Sequence, residues 1–274
     1  MLIQGASESR PGHENEDLLA TADGLVVVLD GCGTPDSLAG TVRRGCRHGV
    51  PWYVRSLGAE LVRLAAAPGI PLADALAEAI GTVTDAHRDT CDLTNADTPA
   101  CTVAMLRDRG RYVDHLVLSD STVALAYRAG DVEVISDDRL ARVMPRFERH
   151  PLGSPERADR DRRSSAARTA RLNRPDGFWV ASTDPAAAAQ ALTGTVPAGE
   201  LRGALVATDG GVRLVEFGEL TWPTLLDIVA GAGPADLIAR TRAAEAADPT
   251  AERFPRGKQY DDATVAWCTG LSGS

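Results

Sequence analysis

The chain has 274 residues, of which 44% are hydrophobic and 24% charged, with a formal net charge of −9. This is a globular composition of a length that one large α/β domain can hold, with a core big enough to fold without a disulfide or a structural metal. The acidic balance argues against an electrostatic grip on nucleic acid, which needs clustered Lys and Arg.

The five cysteines, Cys32, Cys46, Cys91, Cys101 and Cys268, are odd in number and show no CxxC pair. The expectation is therefore reduced thiols, with neither a zinc site nor a disulfide framework. Residues 1–10 lack a basic start followed by an apolar run, and no apolar stretch approaches the ~20 residues that span a bilayer. A cytoplasmic protein with no membrane partner is expected.

In chain order, the β-branched run 24–29 ends in Asp30-Gly31 and reads as a buried strand entering a turn. Residues 49–67 place Val54, Leu57, Leu61 and Leu64 on one helical face, and 71–89 do the same with Leu72, Leu76, Ile80 and Val83. Strands at 102–107, 115–119, 123–127 and 132–135 form a predicted meander, with a hairpin turn at Ala129-Gly130-Asp131. The segment 137–173 is rich in Arg and Asp, poor in apolar residues, and reads as an irregular surface stretch. Strands are expected at 178–182, 204–208 and 263–268, and helices at 185–193, 223–229 and 234–246. Strands and helices cluster instead of alternating, which favours an α+β sandwich over a parallel sheet.

Four short motifs put a carboxylate at or beside a strand end: Asn15-Glu16-Asp17, Asp30-Gly31, Thr208-Asp209-Gly210 and Asp261-Asp262-Ala263-Thr264. Singly, each is an ordinary turn or a solvated edge. Meeting at one place, such acids would repel one another, and a hard dication with oxygen ligands resolves that repulsion. The five histidines show no paired metal-ligand spacing, and neither a P-loop nor a Gly-x-Ser-x-Gly elbow is present.

In their order and spacing these motifs resemble the PP2C family of metal-dependent serine/threonine phosphatases, over nearly the whole chain. Thr102, ahead of a central strand, and Ser119-Asp120-Ser121 extend the match. The resemblance implies a bacterial, actinobacterial-like member occupying residues 1–274 as one domain. Its implied fold is an α+β sandwich of two antiparallel sheets flanked by helix pairs, in four α-β-β-α layers, with a flap-like irregular segment at about 137–174.

By position, Asp30 would bridge two metals and the Gly31 carbonyl would bind one of them. Asp209 and Asp261 would complete the other. Glu16 and Asp17 would hold metal-bound waters or bind directly, and Asp120 would belong to a third, weaker site. The implied cofactor is Mn²⁺ or Mg²⁺, two ions, used to activate a water that attacks phosphoserine or phosphothreonine in a protein, the enzyme acting as a monomer. The alternative is a pseudophosphatase that binds phosphoprotein without turnover; a hydrolase of small phosphorylated metabolites is a second rival.

Several positions depart from the pattern. Where the family carries a phosphate-binding arginine this chain has Gly12, so Arg10 is the candidate grip, with His13 behind it. Cys32 replaces a histidine of some relatives, Thr34 replaces a glycine, and Ser119 stands at the glycine of Gly-Asp-Ser. Ser182-Thr183-Asp184 is followed by Pro185 and reads as a helix cap. The Arg-rich stretch 157–174 reads as a solvated surface that could meet a phosphopeptide.

Overall fold

The computed structural model describes residues 1–32, 46–67, 69–95, 97–144 and 150–271. Gly33 and Thr34 of the altered glycine motif lie outside the described residues.

Two antiparallel five-stranded sheets face each other. The first joins β1 (Leu2–Glu8), β10 (Ala263–Thr269), β9 (Leu201–Ala207), β6 (Thr122–Tyr127) and β7 (Val132–Ser136), in that order. The second joins β2 (Leu18–Ala22), β3 (Leu25–Gly31), β4 (Cys101–Asp108), β5 (Tyr112–Leu118) and β8 (Leu192–Pro197). Both faces of the central strands are covered, so they read as continuous apolar runs and alternate residues serve different layers.

Val26 and Val28 of β3, with Ala104 and Leu106 of β4, point between the sheets and meet Val123, Leu125, Val206 and Ala266. Leu25, Val27 and Leu29 point the other way, onto α1 (Val50–Ala65) and α2 (Leu72–His87). On the far face Ala124, Leu205, Val265 and Trp267 pack against α5 (Asp209–Glu216), α6 (Trp222–Ala232) and α7 (Pro234–Ala247). Each fully buried Leu or Val contributes about 1.5–3 kcal/mol, and the summed burial holds four α-β-β-α layers together. Among the described residues, no helix is long and apolar enough to cross a membrane.

Several elements differ from the sequence reading, and β1, β2, β8 and the helix Asp209–Glu216 have no counterpart in it. The predicted meander is broken: β4 pairs with β5 and β6 with β7, but β5 and β6 belong to different sheets. The chain crosses between sheets at Ser119-Asp120-Ser121, where Ser119 takes the left-handed conformation (φ 69°) that glycine adopts most readily. Residues 178–182 make only isolated bridges, Cys101 to Ala181 and Leu172 to Phe178, and 185–190 form a single 3₁₀ stretch capped by Asp184, whose Oδ1 accepts from the Ala186 N–H at 2.9 Å.

The third correction is the segment 137–174, expected to be irregular. It contains two helices, α3 (Arg139–Val143) and α4 (Pro155–Arg171). Ser154 caps α4 by accepting from the Arg157 N–H at 3.1 Å, Pro155 occupies its first turn, and the buried Arg157 and Asp161 pair one turn apart at 3.0 Å. A search for apolar periodicity misses such a helix, because its inner face is made of charged side chains satisfied by one another.

Candidate metal centre and phosphate cavity

The ends of the two sheets that carry the acidic motifs lie together and open into a cavity of about 830 Å³. Asp30 closes β3, opposite Thr102 of β4. Asp209 opens α5 directly after β9, and Asp261 lies two residues before β10, the neighbour of β9. Asp120 sits at the crossing between sheets. Asp30, Gly31, Asp120, Asp209 and Asp261 all line the cavity.

The glycines of these motifs make close packing possible. A Cβ on Gly31 would fall 2.6 Å from the Glu16 carbonyl oxygen and 2.3 Å from a Val50 methyl, and one on Gly210 would overlap the Asp262 carbonyl oxygen at 1.9 Å. The second glycine pair, Gly210-Gly211, thus seats α5 against β10.

Glu16 and Asp17 stand beside the cavity without lining it. The Asp262 carboxylate accepts from the backbone N–H of Arg10 at 2.7 Å and of Glu16 at 3.1 Å, tying the N-terminal loop to the start of β10. Asp17 is buried and accepts from the Thr208 hydroxyl at 2.9 Å, while its Oδ1 has no partner. Burial, then the charge of Asp262, hold the Asp17 carboxyl well above the usual range.

The lining acids divide into two kinds. Among the described residues, neither Asp30 nor Asp209 has a hydrogen bond or salt bridge to its carboxylate. Burial, followed by the charges of Asp209, Asp17, Asp261 and Asp120, pushes Asp30 well above the ordinary carboxylate range. Burial and then Asp261 raise Asp209 to about 6, with Arg213 pulling the other way. Asp120 is raised by burial and partly restrained by Arg168. Asp261 is also buried, but Lys258 Nζ lies 2.6 Å from one of its oxygens and Arg213 2.7 Å from the other, and these cations bring it down to about 2. Arg213 in turn pairs with the fully buried Glu245 at 2.5 Å.

These residues fit a divalent cation at Asp30 and Asp209. The donors are all hard oxygens, and they carry negative charge that no cation among the described residues neutralises by a direct salt bridge. Asp261 fits less simply, since both of its oxygens are held by protein cations. Among the described residues, the group of three His, Cys, Asp or Glu ligand atoms gathered within 4.8 Å of one another lies elsewhere, at Cys46, His87 and Cys91. The Asp30, Asp209 and Asp261 oxygens thus stand wider apart than ligands closed around one ion.

Arg10 is outside the cavity lining. Gly12 (φ 79°) forms the turn that His13 closes by donating to the Arg10 carbonyl at 3.2 Å, and His13 is exposed. Arg160, Arg168, Arg213, Arg253 and Arg256 do line the cavity, and of these Arg168, carried by α4, is the one set against Asp30, Asp120 and Asp209 without a salt bridge of its own among the described residues. Burial opposes its charge, but Cys32, Asp120, Asp30 and Asp209 hold it firmly protonated. Sequence reasoning missed Arg168, Lys258 and Arg213. Only the Arg-rich composition of 157–174 hinted at the first, and nothing local marks the other two.

No family model matches the sequence, and no curated protein matches it. Solved structures do. The serine/threonine phosphatase Stp1 from Staphylococcus aureus superposes with a TM-score of 0.60 at 12% identity, over 97% of this chain and 94% of that one. The chain has the PP2C-type phosphatase fold. The catalytic domain of the serine/threonine phosphatase PstP, solved with two manganese ions, aligns at TM-score 0.55 and 16% identity, covering 98% and 97% of the two chains. The phosphatase MsPP from Mycobacterium smegmatis, solved with cacodylate, aligns at 0.53 and 15%, covering 98% of each. The two five-stranded sheets and flanking helices are the architecture these structures share.

Proposed function

We propose that this chain is a divalent-metal-dependent phosphomonoesterase that removes phosphate from phosphoserine and phosphothreonine in proteins, working as a single domain and a monomer. The observation that carries it is the pair of uncommitted carboxylates, Asp30 and Asp209, facing one cavity with a positively charged guanidinium, Arg168. Likeness to phosphatases in fold, including one solved with manganese, supports the reading.

Asp30, the Gly31 carbonyl and Asp209 would hold Mn²⁺ or Mg²⁺, with Glu16 and Asp17 behind them and Asp120 offering a further carboxylate. Bound cations would supply an acidified water and neutralise phosphoryl charge. The chain's own residues do the rest. Arg168 pairs with the phosphoryl oxygens and orients them. Asp262 fixes the N-terminal loop through two backbone N–H groups, and so places Glu16 and Asp17. Cys32 lines the cavity where a leaving-group acid could stand, but a thiol protonates an alkoxide poorly, so departure relies on solvent.

One observation favours the alternative of a weak or inactive phosphoprotein-binding module. Lys258 and Arg213 already neutralise Asp261, which lowers its attraction for a cation. The two readings part on turnover. Manganese-dependent hydrolysis of p-nitrophenyl phosphate, lost by 100-fold or more in Asp30→Asn and in Asp209→Asn, is the expected result. Calorimetric binding of Mn²⁺ and phosphopeptide with no hydrolysis by the wild type would select the binding module.

A further inference from the structure

The sequence shows no CxxC and no His pair, yet the fold assembles a second cluster of ligand atoms far from the carboxylates in chemical type. Cys46, His87 and Cys91 bring their ligand atoms within 4.8 Å of one another. The Cys91 and Cys46 sulfurs are 2.9 Å apart, and Cys46 Sγ is 3.6 Å from His87 Nδ1. His87 is fully buried, and its other ring nitrogen has no hydrogen-bond partner. His48 stacks on Trp52 with ring centroids 4.0 Å apart, and its ring lies 6.0 Å from that of His87.

The spacing becomes meaningful once cysteine and histidine are read together. Cys46-x-His48 immediately precedes α1, and His87-x₃-Cys91 begins at the last residue of α2. Two short ligand pairs on adjacent elements are how structural zinc sites are built. Soft thiolates with imidazole select zinc-class ions and reject Mg²⁺, the opposite of the oxygen-lined cavity.

We propose that Cys46, His87 and Cys91, with His48 closing as fourth ligand, form a tetrahedral site for a zinc-class divalent cation that staples the start of α1 to the end of α2. Zn–S bonds of about 2.3 Å in a tetrahedron put two sulfurs about 3.8 Å apart. The sulfurs must therefore open by about 1 Å, whereas the 3.6 Å sulfur-to-nitrogen separation already suits such a site. Binding releases one proton from each thiol to solvent. Two thiolates and two neutral imidazoles then balance the dication, so the site is uncharged and suited to a buried histidine.

The test uses the full-length protein, purified under reducing conditions, freed of metal and titrated with Co²⁺. One equivalent should give a thiolate-to-cobalt charge-transfer band and the intense visible bands of tetrahedral cobalt, both bleached by one equivalent of Zn²⁺. Cys46→Ser and Cys91→Ser should each lose at least half of the charge-transfer intensity. Asp30→Asn, altered only in the carboxylate cavity, should keep the spectrum. If the cysteine variants do not fold, His48→Gln serves instead, with Zn²⁺ affinity at least tenfold weaker. Wild-type protein with no thiolate band would overturn the proposal. So would a band that survives the double Cys46→Ser, Cys91→Ser change, or peptide mapping that finds Cys46 and Cys91 disulfide-linked under the same reducing conditions.

Discussion

Asp209 and Asp261 belong to the same end of the same sheet, one leaving β9 and the other approaching β10, yet their surroundings drive them in opposite directions. Asp209 has been taken out of water with no direct partner among the described residues, and its carboxyl rises to about 6. Asp261 is buried as well, but Lys258 and Arg213 grip both of its oxygens and hold it at about 2. Residue type and location in the fold are shared; only the neighbours differ. The lesson is that a carboxylate at a strand end becomes a cation site or a structural ion pair according to which side chains arrive from elsewhere in the chain.

The largest expected effects come from removing each acid in metal-free protein. Asp261→Asn leaves Lys258 without its carboxylate and Arg213 with Glu245 alone, and should cost about 3 kcal/mol. Asp209→Asn removes a charge held in repulsion and should add about 3 kcal/mol at pH 7. The pH dependence carries opposite signs. Asp209, with its folded pKa raised, favours the folded state most below the unfolded value of 3.8 and loses that contribution as pH rises through about 6. Asp261, with its folded pKa depressed, contributes above 3.8 and loses this as pH falls through about 2. Thermal melts of both variants and the wild type between pH 2 and 7 would expose the two windows. Equal shifts of the same sign would end the contrast.

Next in size is Arg168, which faces the unneutralised acids. Arg168→Ala should raise KM for p-nitrophenyl phosphate by about 30-fold, the worth of roughly 2 kcal/mol of charge-assisted hydrogen bonding, with partial recovery in Arg168→Lys. Arg10→Ala should leave KM within about twofold, because Arg10 stands outside the cavity lining. The reverse pattern would return the phosphate grip to the N-terminal loop.

Lys258→Met sharpens the other side of the comparison. With one oxygen of Asp261 released, Mn²⁺ should bind about tenfold tighter by calorimetry. Unchanged affinity would mean that Asp261 takes no part in holding the cation. The smallest effect belongs to the scaffold of α4. Ser154→Ala removes the cap on the Arg157 N–H and should lower stability by about 1 kcal/mol in thermal melts, leaving the Asp261 ion pairs intact.

Much of the fold was legible because burial leaves a local record. The apolar run ending at Asp30, the faces of α1 and α2, and the strands beginning at Cys101 and ending at Ala207 all appear as hydrophobic patterns of period two or 3.6. Helix α4 left no such record, since Arg157 and Asp161 satisfy each other inside it. The break between β5 and β6 was hidden too, because a strand run looks the same whichever sheet it joins. The left-handed Ser119 at the crossing becomes informative only with φ in hand.

What the sequence by itself determined was an α+β sandwich and the collection of acids at strand ends, since both follow from hydrophobic period and from residue types a few positions apart. The tertiary structure decided which acids are left bare and which are neutralised, that Arg168 and not Arg10 enters the cavity, and that Cys46 meets His87 and Cys91. Those outcomes depend on side chains distant in sequence coming within a few ångströms, where electrostatic and coordination forces act but local pattern has no reach.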